Sequence, residues 1–261
     1  MSDEHNLFLK KNKRKKILII LTRISILIVI IFLWELMSHL ELINTFLTSS
    51  PSLIVKTIIN LIKTNNFFNH ISITIFETII SFILSTFIGL FIASILWWNK
   101  FISKVFEPYL TIINSMPKVA LGPIFIIWIG ANIKSIIFMA IMISIFITII
   151  NLENAFSNTD ENKIKYLKSL KASKWQIYRM LIIPSNIKNI INVLKINISM
   201  SLIGISMGEL LVSKEGIGYL IMYGSQVFNL NLVMTGIVLL CFISFVMYYI
   251  ISYIEKRITK Y

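Results

Sequence analysis

Residues 71–97 read ISITIFETIISFILSTFIGLFIASILW and carry one charged side chain, Glu77. A helix needs about 20 consecutive apolar residues to cross the core of a bilayer, so this run is long enough to span a membrane. Similar apolar runs recur along the chain, and together they predict an all-α polytopic membrane protein with six transmembrane helices. The six predicted spans are about 17–37, 71–97, 109–130, 134–151, 189–212 and 231–254.

The composition of the whole chain agrees with this interpretation. Of 261 residues, 56% are hydrophobic and 14% are charged, whereas a typical soluble domain carries about 25% charged residues. These values argue against a cytosolic enzyme, a secreted disulfide scaffold and a disordered chain. Cys241 is the sole cysteine, so the chain forms no internal disulfide.

The distribution of the basic residues predicts the orientation. The net charge is +13, and 18 of the 25 Lys and Arg residues lie in alternate connecting segments or in the two termini. Loops that face the cytoplasm are enriched in Lys and Arg, so we expect both termini to be cytoplasmic in the cell membrane. The segments assigned to the cytoplasmic side are the basic tail 1–16, then 98–108, 152–188 and the tail 255–261.

Two regions outside the regular spans have distinctive patterns. Segment 51–64 is amphipathic and too short to span, and it is predicted to be an outer interfacial helix with Ser50 as its cap and Pro51 at its first position. Three prolines and Lys118 interrupt the third span, which predicts a broken or re-entrant start there. Lys118 and Lys195 are expected near the inner ends of their spans, where their long side chains reach the membrane surface.

The longest connection, 152–188, is expected to carry function, because long loops in compact membrane domains usually do. Residues 158–161 can cap a first short helix, whose apolar face would be Ile164, Leu167 and Leu170. Ser173 and Gln176 have the spacing of a capping box that starts a second helix. One interpretation is an amphipathic loop lying on the membrane surface, and the other is a docking element for a cytoplasmic partner.

The end of this loop resembles a known family. Residues 170–184, LKASKWQIYRMLIIP, are similar to the signature loop of ABC-importer permease subunits, which reads Glu-Ala-Ala, then Gly four residues later, and closes with Leu-Pro. The Glu-Ala-Ala positions hold other residues here, and Lys171 stands at the Gly position. The docking loop implied by the resemblance comprises Lys165, Tyr166, Leu167, Leu170, Lys171, Ala172, Ser173, Trp175 and Pro184.

Three further motifs in the same order resemble the aliphatic sulfonate, taurine and nitrate-type permeases. They are Ser49 to Ser52, Ser115-Met116-Pro117 with 127–130, and Gly208-Glu209-Leu210 with 215–221. The resemblance covers roughly residues 45–254 and implies a type I importer core over 65–254 with its coupling loop at 152–188. Glu77 departs from the family, which commonly has Arg at that position.

The resemblance also implies partners and a substrate class. The chain would pair with a second permease copy, dock ATP-binding subunits and receive substrate from an extracytoplasmic binding protein. The substrate would be a small anion such as an aliphatic sulfonate, taurine or nitrate, with a thiamine precursor as the alternative. Candidate residues of the translocation path are Glu77, Met116, Pro117, Ser201 and Glu209.

The sequence gives no sign of catalysis or of a bound cofactor. It has no phosphate-binding loop, so ATP is expected on a partner subunit, and its three histidines are too scattered for a metal site. An enzyme and a nucleic-acid-binding protein are therefore disfavoured. A stand-alone carrier or channel stays open as an alternative, because Glu77 and the broken third span would suit one.

Overall fold

The structure is a computed structural model that describes residues 3–64 and 67–258, and all regular elements in these ranges are helical. Five helices are long and apolar enough to cross a membrane, and a bent pair of shorter helices makes up to a sixth span. The all-α polytopic prediction is therefore confirmed. The five long helices are α1 (Asp3–His39), α4 (Phe67–Trp98), α7 (Ile133–Ser157), α11 (Ile187–Val212) and α13 (Leu230–Ile258).

Shorter helices connect these spans. They are α2 (Thr45–Thr48), α3 (Pro51–Lys63), α5 (Lys100–Ser115), α6 (Gly122–Ile129), α8 (Glu161–Ser169), α9 (Lys174–Ile177), α10 (Ile183–Ser185) and α12 (Ile217–Gln226). The end of the bundle that carries α8 and α9 is called the loop end below, and the opposite end, where α11 finishes and α12 begins, is called the far end.

The third span is broken, as the sequence predicts. Helix α5 and the segment that ends with α6 meet at an angle of 81°. Pro117 explains the break, because it offers no N–H and forces the preceding residue out of the helical region. Met116 accordingly has an extended conformation with ψ 143°, and a 3₁₀ turn at Lys118–Leu121 leads into α6.

Helix α3 forms as its sequence predicts. The Ser50 hydroxyl accepts a hydrogen bond from the Leu53 N–H at 3.3 Å, and Pro51 occupies the first turn, where a missing N–H costs nothing. Helix α1 touches the bundle near its own carboxyl end, where a Glu35 oxygen accepts a hydrogen bond from the Ser52 N–H at 3.0 Å.

Close packing of α4, α7 and α11 forms the centre of the bundle. A Cβ atom on Gly204 would lie 2.4 Å from the Cα of Ala140, and one on Gly208 would lie 2.8 Å from the Ile136 side chain. Small residues four positions apart therefore let the backbones of α11 and α7 approach. Gly204 and Gly208 thus form a seam between α11 and α7.

Candidate functional site

The loop between α7 and α11 contains the two predicted short helices, α8 and α9, and a further helical stretch that ends with α10. The Asp160 carboxylate caps α8 by accepting a hydrogen bond from the Asn162 N–H at 2.9 Å. The capping box at α9 is complete, because the Gln176 N–H donates to the Ser173 hydroxyl at 3.3 Å and the Ser173 N–H donates to the Gln176 side chain at 2.7 Å. Both helix starts are thus set by local sequence.

The turn between α8 and α9 depends on Lys171. This residue has a φ of 57°, in the left-handed region that glycine adopts without cost. The Ala172 N–H donates to the Leu167 carbonyl at 3.0 Å, which closes the end of α8. Lys171 therefore keeps the backbone conformation that a glycine would supply, although it carries a side chain.

The two faces of the loop have different environments. Ile164, Leu167 and Ala172 are half-buried and pack against a cluster that includes Phe156 and Ile182. The Leu167 side chain therefore packs within this chain and is largely unavailable to a partner. Other side chains of the loop are exposed, and the large apolar ones among them include Tyr166, Leu170, Trp175 and Met180.

The remaining residues of the predicted docking loop lie around this exposed face. Lys165 is exposed and lies 3.6 Å from the Glu161 carboxylate, a surface pair of small energetic value. Lys171 and Ser173 are exposed at the turn, and Pro184 is exposed in α10. The exposed face defined by Tyr166, Leu170, Lys171 and Trp175 is called the docking face below.

Polar contacts join the loop to the spans. The Ser94 and Tyr178 hydroxyls lie 2.6 Å apart, and the Lys174 ammonium donates to the Trp98 carbonyl at 2.6 Å. The Asn186 amide donates to the Thr159 hydroxyl at 2.8 Å, where the loop leads into α11. A displacement of the loop would thus act directly on α4 and α11.

At the far end, Glu209 holds the turn that precedes α12. One of its oxygens accepts a hydrogen bond from the Thr74 hydroxyl at 2.6 Å, and the other accepts one from the Gly218 N–H at 2.6 Å. The Ile217 N–H donates to Thr74 at 2.9 Å, and the Gly216 N–H donates to His70 Nδ1 at 3.0 Å. The turn is thereby fastened to α4.

Glu77 lies beside Glu209 in the same cluster. The two side chains are 2% and 1% exposed, and Glu77 Oε2 has no hydrogen-bond partner in the described part of the chain. Gly216 completes the packing, because a Cβ atom there would lie 2.3 Å from the Glu209 carboxyl carbon, and its φ is 98°. Both carboxyl groups are therefore enclosed by α4, α11 and the turn.

Ser201 lies deeper in the bundle, in a polar network around Asn197 that sequence reasoning did not identify. The Asn197 amide donates to the Thr86 hydroxyl at 2.7 Å, and its oxygen accepts from Ser85 at 3.0 Å and from Ser201 at 3.4 Å. The available signal was an asparagine inside an apolar run, since a buried amide needs partners. This network joins α4 to α11.

The other two candidate path residues are at the break of the third span. Met116 is 44% exposed, and Pro117 is exposed too. The structure thus brings Glu77 and Glu209 together, places Ser201 further along α11, and sets Met116 and Pro117 apart on an open surface.

The Lys118 ammonium lies 5.8 Å from the ring centroid of Phe146, in the central part of helix α7 (Ile133–Ser157). Its expected position near an inner end stays a prediction. Lys195 is in an ion pair with Glu255 at 2.6 Å, close to the loop end.

The geometry described above defines a polytopic membrane protein whose longest loop lies at one end of the bundle. Within residues 3–64 and 67–258, no cluster of three or more metal-ligating side chains occurs. The chain belongs to the family of binding-protein-dependent transport system inner membrane components, whose model matches residues 85–260. It is thus a permease component of an ABC importer, and this membership favours an importer over a stand-alone carrier.

Relatives in this family differ in the solute that they are named for. A Bacillus subtilis (strain 168) permease, named provisionally for aliphatic sulfonates, is 25% identical over 89% of this chain and 84% of its own. The formylaminopyrimidine transport permease protein of Halalkalibacterium halodurans is 27% identical over 74% and 76%. The taurine transport system permease protein of Escherichia coli (strain K12) is 18% identical over 91% and 88%.

Solved structures share the fold. A chain of the MetNI methionine ABC transporter, in an inward-facing conformation, superposes with a TM-score of 0.66 at 17% identity, covering 73% of this chain and 95% of that one. A chain of a bacterial ABC transporter involved in the import of alginate gives a TM-score of 0.63 at 16% identity, covering 97% and 99%. These similarities support the importer permease fold.

Proposed function

We propose that this chain is the membrane-spanning subunit of an ATP-driven importer and that its docking face binds an ATP-binding subunit. The observation that carries the proposal is the division of the loop into a packed face and an exposed apolar one. Apolar side chains such as Tyr166, Leu170 and Trp175 are costly to leave in water, and their exposure on one loop supports an interaction site there.

The contacts of the loop suggest how ATP-driven motion reaches the path. A partner that grips the docking face would move α9, and α9 is tied to the end of α4 through Lys174 and Trp98. The hydrogen bond between Asn186 and Thr159 ties the other end of the loop to the start of α11. Two ATP-binding subunits closing on each other would thus shift α4 and α11, which form the centre of the bundle.

The partners of the chain belong to the same proposal. Two copies of this permease would enclose the path between them, and an extracytoplasmic binding protein would deliver the solute at the far end. ATP would bind to the partner subunits and not to this chain. The loop end would face the cytoplasm, as the excess of Lys and Arg in the connections at that end supports.

For the transported solute we propose a small anion such as an aliphatic sulfonate, taurine or a nitrate-like ion. The support is the naming of several relatives for aliphatic sulfonates, taurine and nitrate. The second candidate is a thiamine precursor, since a relative of similar identity is named for formylaminopyrimidine. Screening the cognate binding protein against these compounds separates the two, because only the true solute will bind at low concentration.

The docking proposal predicts different outcomes for two neighbouring leucines. Leu170→Asp puts a charge on the docking face without disturbing the bundle, because Leu170 is 61% exposed. We expect the purified permease to keep its thermal stability and to lose at least tenfold in affinity for the ATP-binding subunit, about 1.4 kcal/mol or more. Co-purification of the two subunits measures the loss.

Leu167→Asp is the matched comparison. It buries a charge against Phe156 and Ile182, so we expect it to lower the yield of folded permease before any effect on docking can be measured. Lys168→Asp, exposed on α8 outside the apolar group, controls for the added negative charge. Full retention of the ATP-binding subunit by a well-folded Leu170→Asp permease would refute the docking role of this face.

A further inference from the structure

The broken third span places a cation beside the central part of helix α7. The Lys118 ammonium lies over the ring of Phe146, at 5.8 Å from its centroid. Phe146 belongs to helix α7 (Ile133–Ser157). At 1.5 Å per residue, Phe146 is about 20 Å from the far-end terminus of α7 and about 17 Å from the loop-end terminus. Within the predicted span 134–151, Phe146 is about 8 Å from the end on the loop side and about 18 Å from the other end, so Lys118 lies inside the span, in its loop-side half.

The groups that contact the Lys118 ammonium carry no negative charge. It donates to the Asn114 carbonyl at 2.7 Å and lies 3.5 Å from the Asn114 side-chain oxygen, and both groups are neutral. The ion pairs found within residues 3–64 and 67–258 involve other residues. The positive charge at the break therefore remains available to a ligand.

The surface around Lys118 is open in the isolated chain. Ser115, Met116, Pro117 and Val119 are exposed on either side of it. A charged side chain facing lipid at this depth would be strongly disfavoured, and ionisable residues in spans usually face the bundle interior or a water-filled cavity. The same holds for irregular backbone at membrane depth, which the break supplies between α5 and α6. Both features indicate a surface that faces a water-filled route.

We propose that Lys118 is the positive charge that receives a transported anion inside the membrane-spanning part of the path. This inference rests on the proposed importer function and deepens it, because it assigns a residue to the anionic substrate class. Asn114 orients the ammonium by accepting one of its three N–H groups, and the remaining two can donate to a sulfonate or nitrate oxygen. The bend at Pro117 would place the Lys118 ammonium at the surface of the path.

The test uses two small reagents of opposite charge and needs no knowledge of the natural solute. Met116→Cys, made together with Cys241→Ser, places one reactive thiol beside Lys118 in the full chain in lipid nanodiscs. The anionic reagent is 2-sulfonatoethyl methanethiosulfonate, itself a short aliphatic sulfonate, and the cationic one is 2-trimethylammonioethyl methanethiosulfonate. We expect the anionic reagent to modify the introduced thiol faster, relative to a free thiol in solution, because the field of Lys118 concentrates anions there.

Replacement of Lys118 identifies the source of this preference. We expect Lys118→Gln to lower the ratio of the anionic to the cationic rate by about tenfold, and Lys118→Arg to retain it. Lys118→Met repeats the neutral substitution with an apolar chain that suits the span if the Gln variant does not fold. Lys134→Gln removes an exposed cation at the start of α7 and should leave the ratio unchanged, as a matched control.

Two results would overturn the inference. An unchanged ratio in Lys118→Gln would show that this lysine does not attract anions, and a thiol at position 116 that neither reagent modifies would show that the surface faces lipid. Neither result bears on the importer proposal, which is tested separately by retention of the ATP-binding subunit.

Discussion

At the scale of single residues, the far end depends on two adjacent carboxyl groups. Glu209 is satisfied by Thr74 and Gly218, whereas Glu77 Oε2 has no partner among the described residues. Two buried ionised carboxylates would repel each other in a medium of low dielectric constant, as like charges at close range do. The arrangement is therefore compatible with a neutral group at position 77, and this makes the cluster testable.

We expect Glu77→Gln to keep or raise the thermal stability of the permease, because glutamine has nearly the same shape as glutamate and carries no charge that would repel Glu209. Glu77→Ala should lower the free energy of unfolding by about 1–3 kcal/mol, since it leaves a void and removes the hydrogen-bonding neighbour of Glu209. Thermal unfolding of the two purified variants in detergent measures the difference. If Glu77→Gln lowers the unfolding temperature as much as Glu77→Ala does, position 77 needs an ionised carboxylate. A neutral group at this position would then be the wrong explanation.

The same residues show where sequence reasoning ends. Glu77 and Glu209 are far apart in the chain, and their contact follows from the tertiary packing of α4 on α11, which a single sequence does not reveal. The sequence predicts a break at Pro117, but the depth at which the chain turns depends on how α5 packs on α7.

At the scale of elements, predictions from local rules succeed. Apolar runs give the spans, and the hydrogen bonds of Ser50, Asp160 and Ser173 give the starts of α3, α8 and α9. The shared face predicted for Leu167 and Leu170 is wrong, because it requires one helix to continue through both. Helix α8 ends at Ser169 with Leu170 as its C-cap, and the left-handed Lys171 turns the chain after it. Leu167 packs inward, whereas Leu170 is exposed.

The conformation of this turn predicts opposite effects of glycine at two nearby lysines. Lys171→Gly should stabilise the turn by about 1 kcal/mol, because a left-handed conformation is costly for a residue with a Cβ atom. Lys168→Gly should destabilise α8 by a similar amount, since Lys168 is an exposed helical residue. Amide hydrogen exchange over residues 164–176 measures both changes. Equal signs for the two variants would contradict the role of the turn.

At the scale of the whole molecule, the bundle has the exposed docking face at its loop end and, at its far end, the turn before α12 that hydrogen bonds hold to α4. The centre, where α4, α7 and α11 meet at small residues, is too closely packed to deform continuously. Displacement of the docking face would therefore be transmitted as a movement of whole helices. Lys118 lies between the two ends, where alternating access would expose it to each side in turn.

This arrangement works as an importer only if the docking face is cytoplasmic. We expect a single cysteine at Lys165, on α8, to be protected from a membrane-impermeant maleimide in intact cells, and one at Asn60, on α3, to be labelled. Both positions are exposed in the structure, so burial does not limit either reaction. The Cys241→Ser background removes the native thiol, which is also exposed. Permeabilised cells supply the control, because both cysteines should then react. Labelling of position 165 but not 60 from outside intact cells would show that the permease has the opposite orientation. The excess of basic residues would then lie outside the cell, contrary to the positive-inside rule.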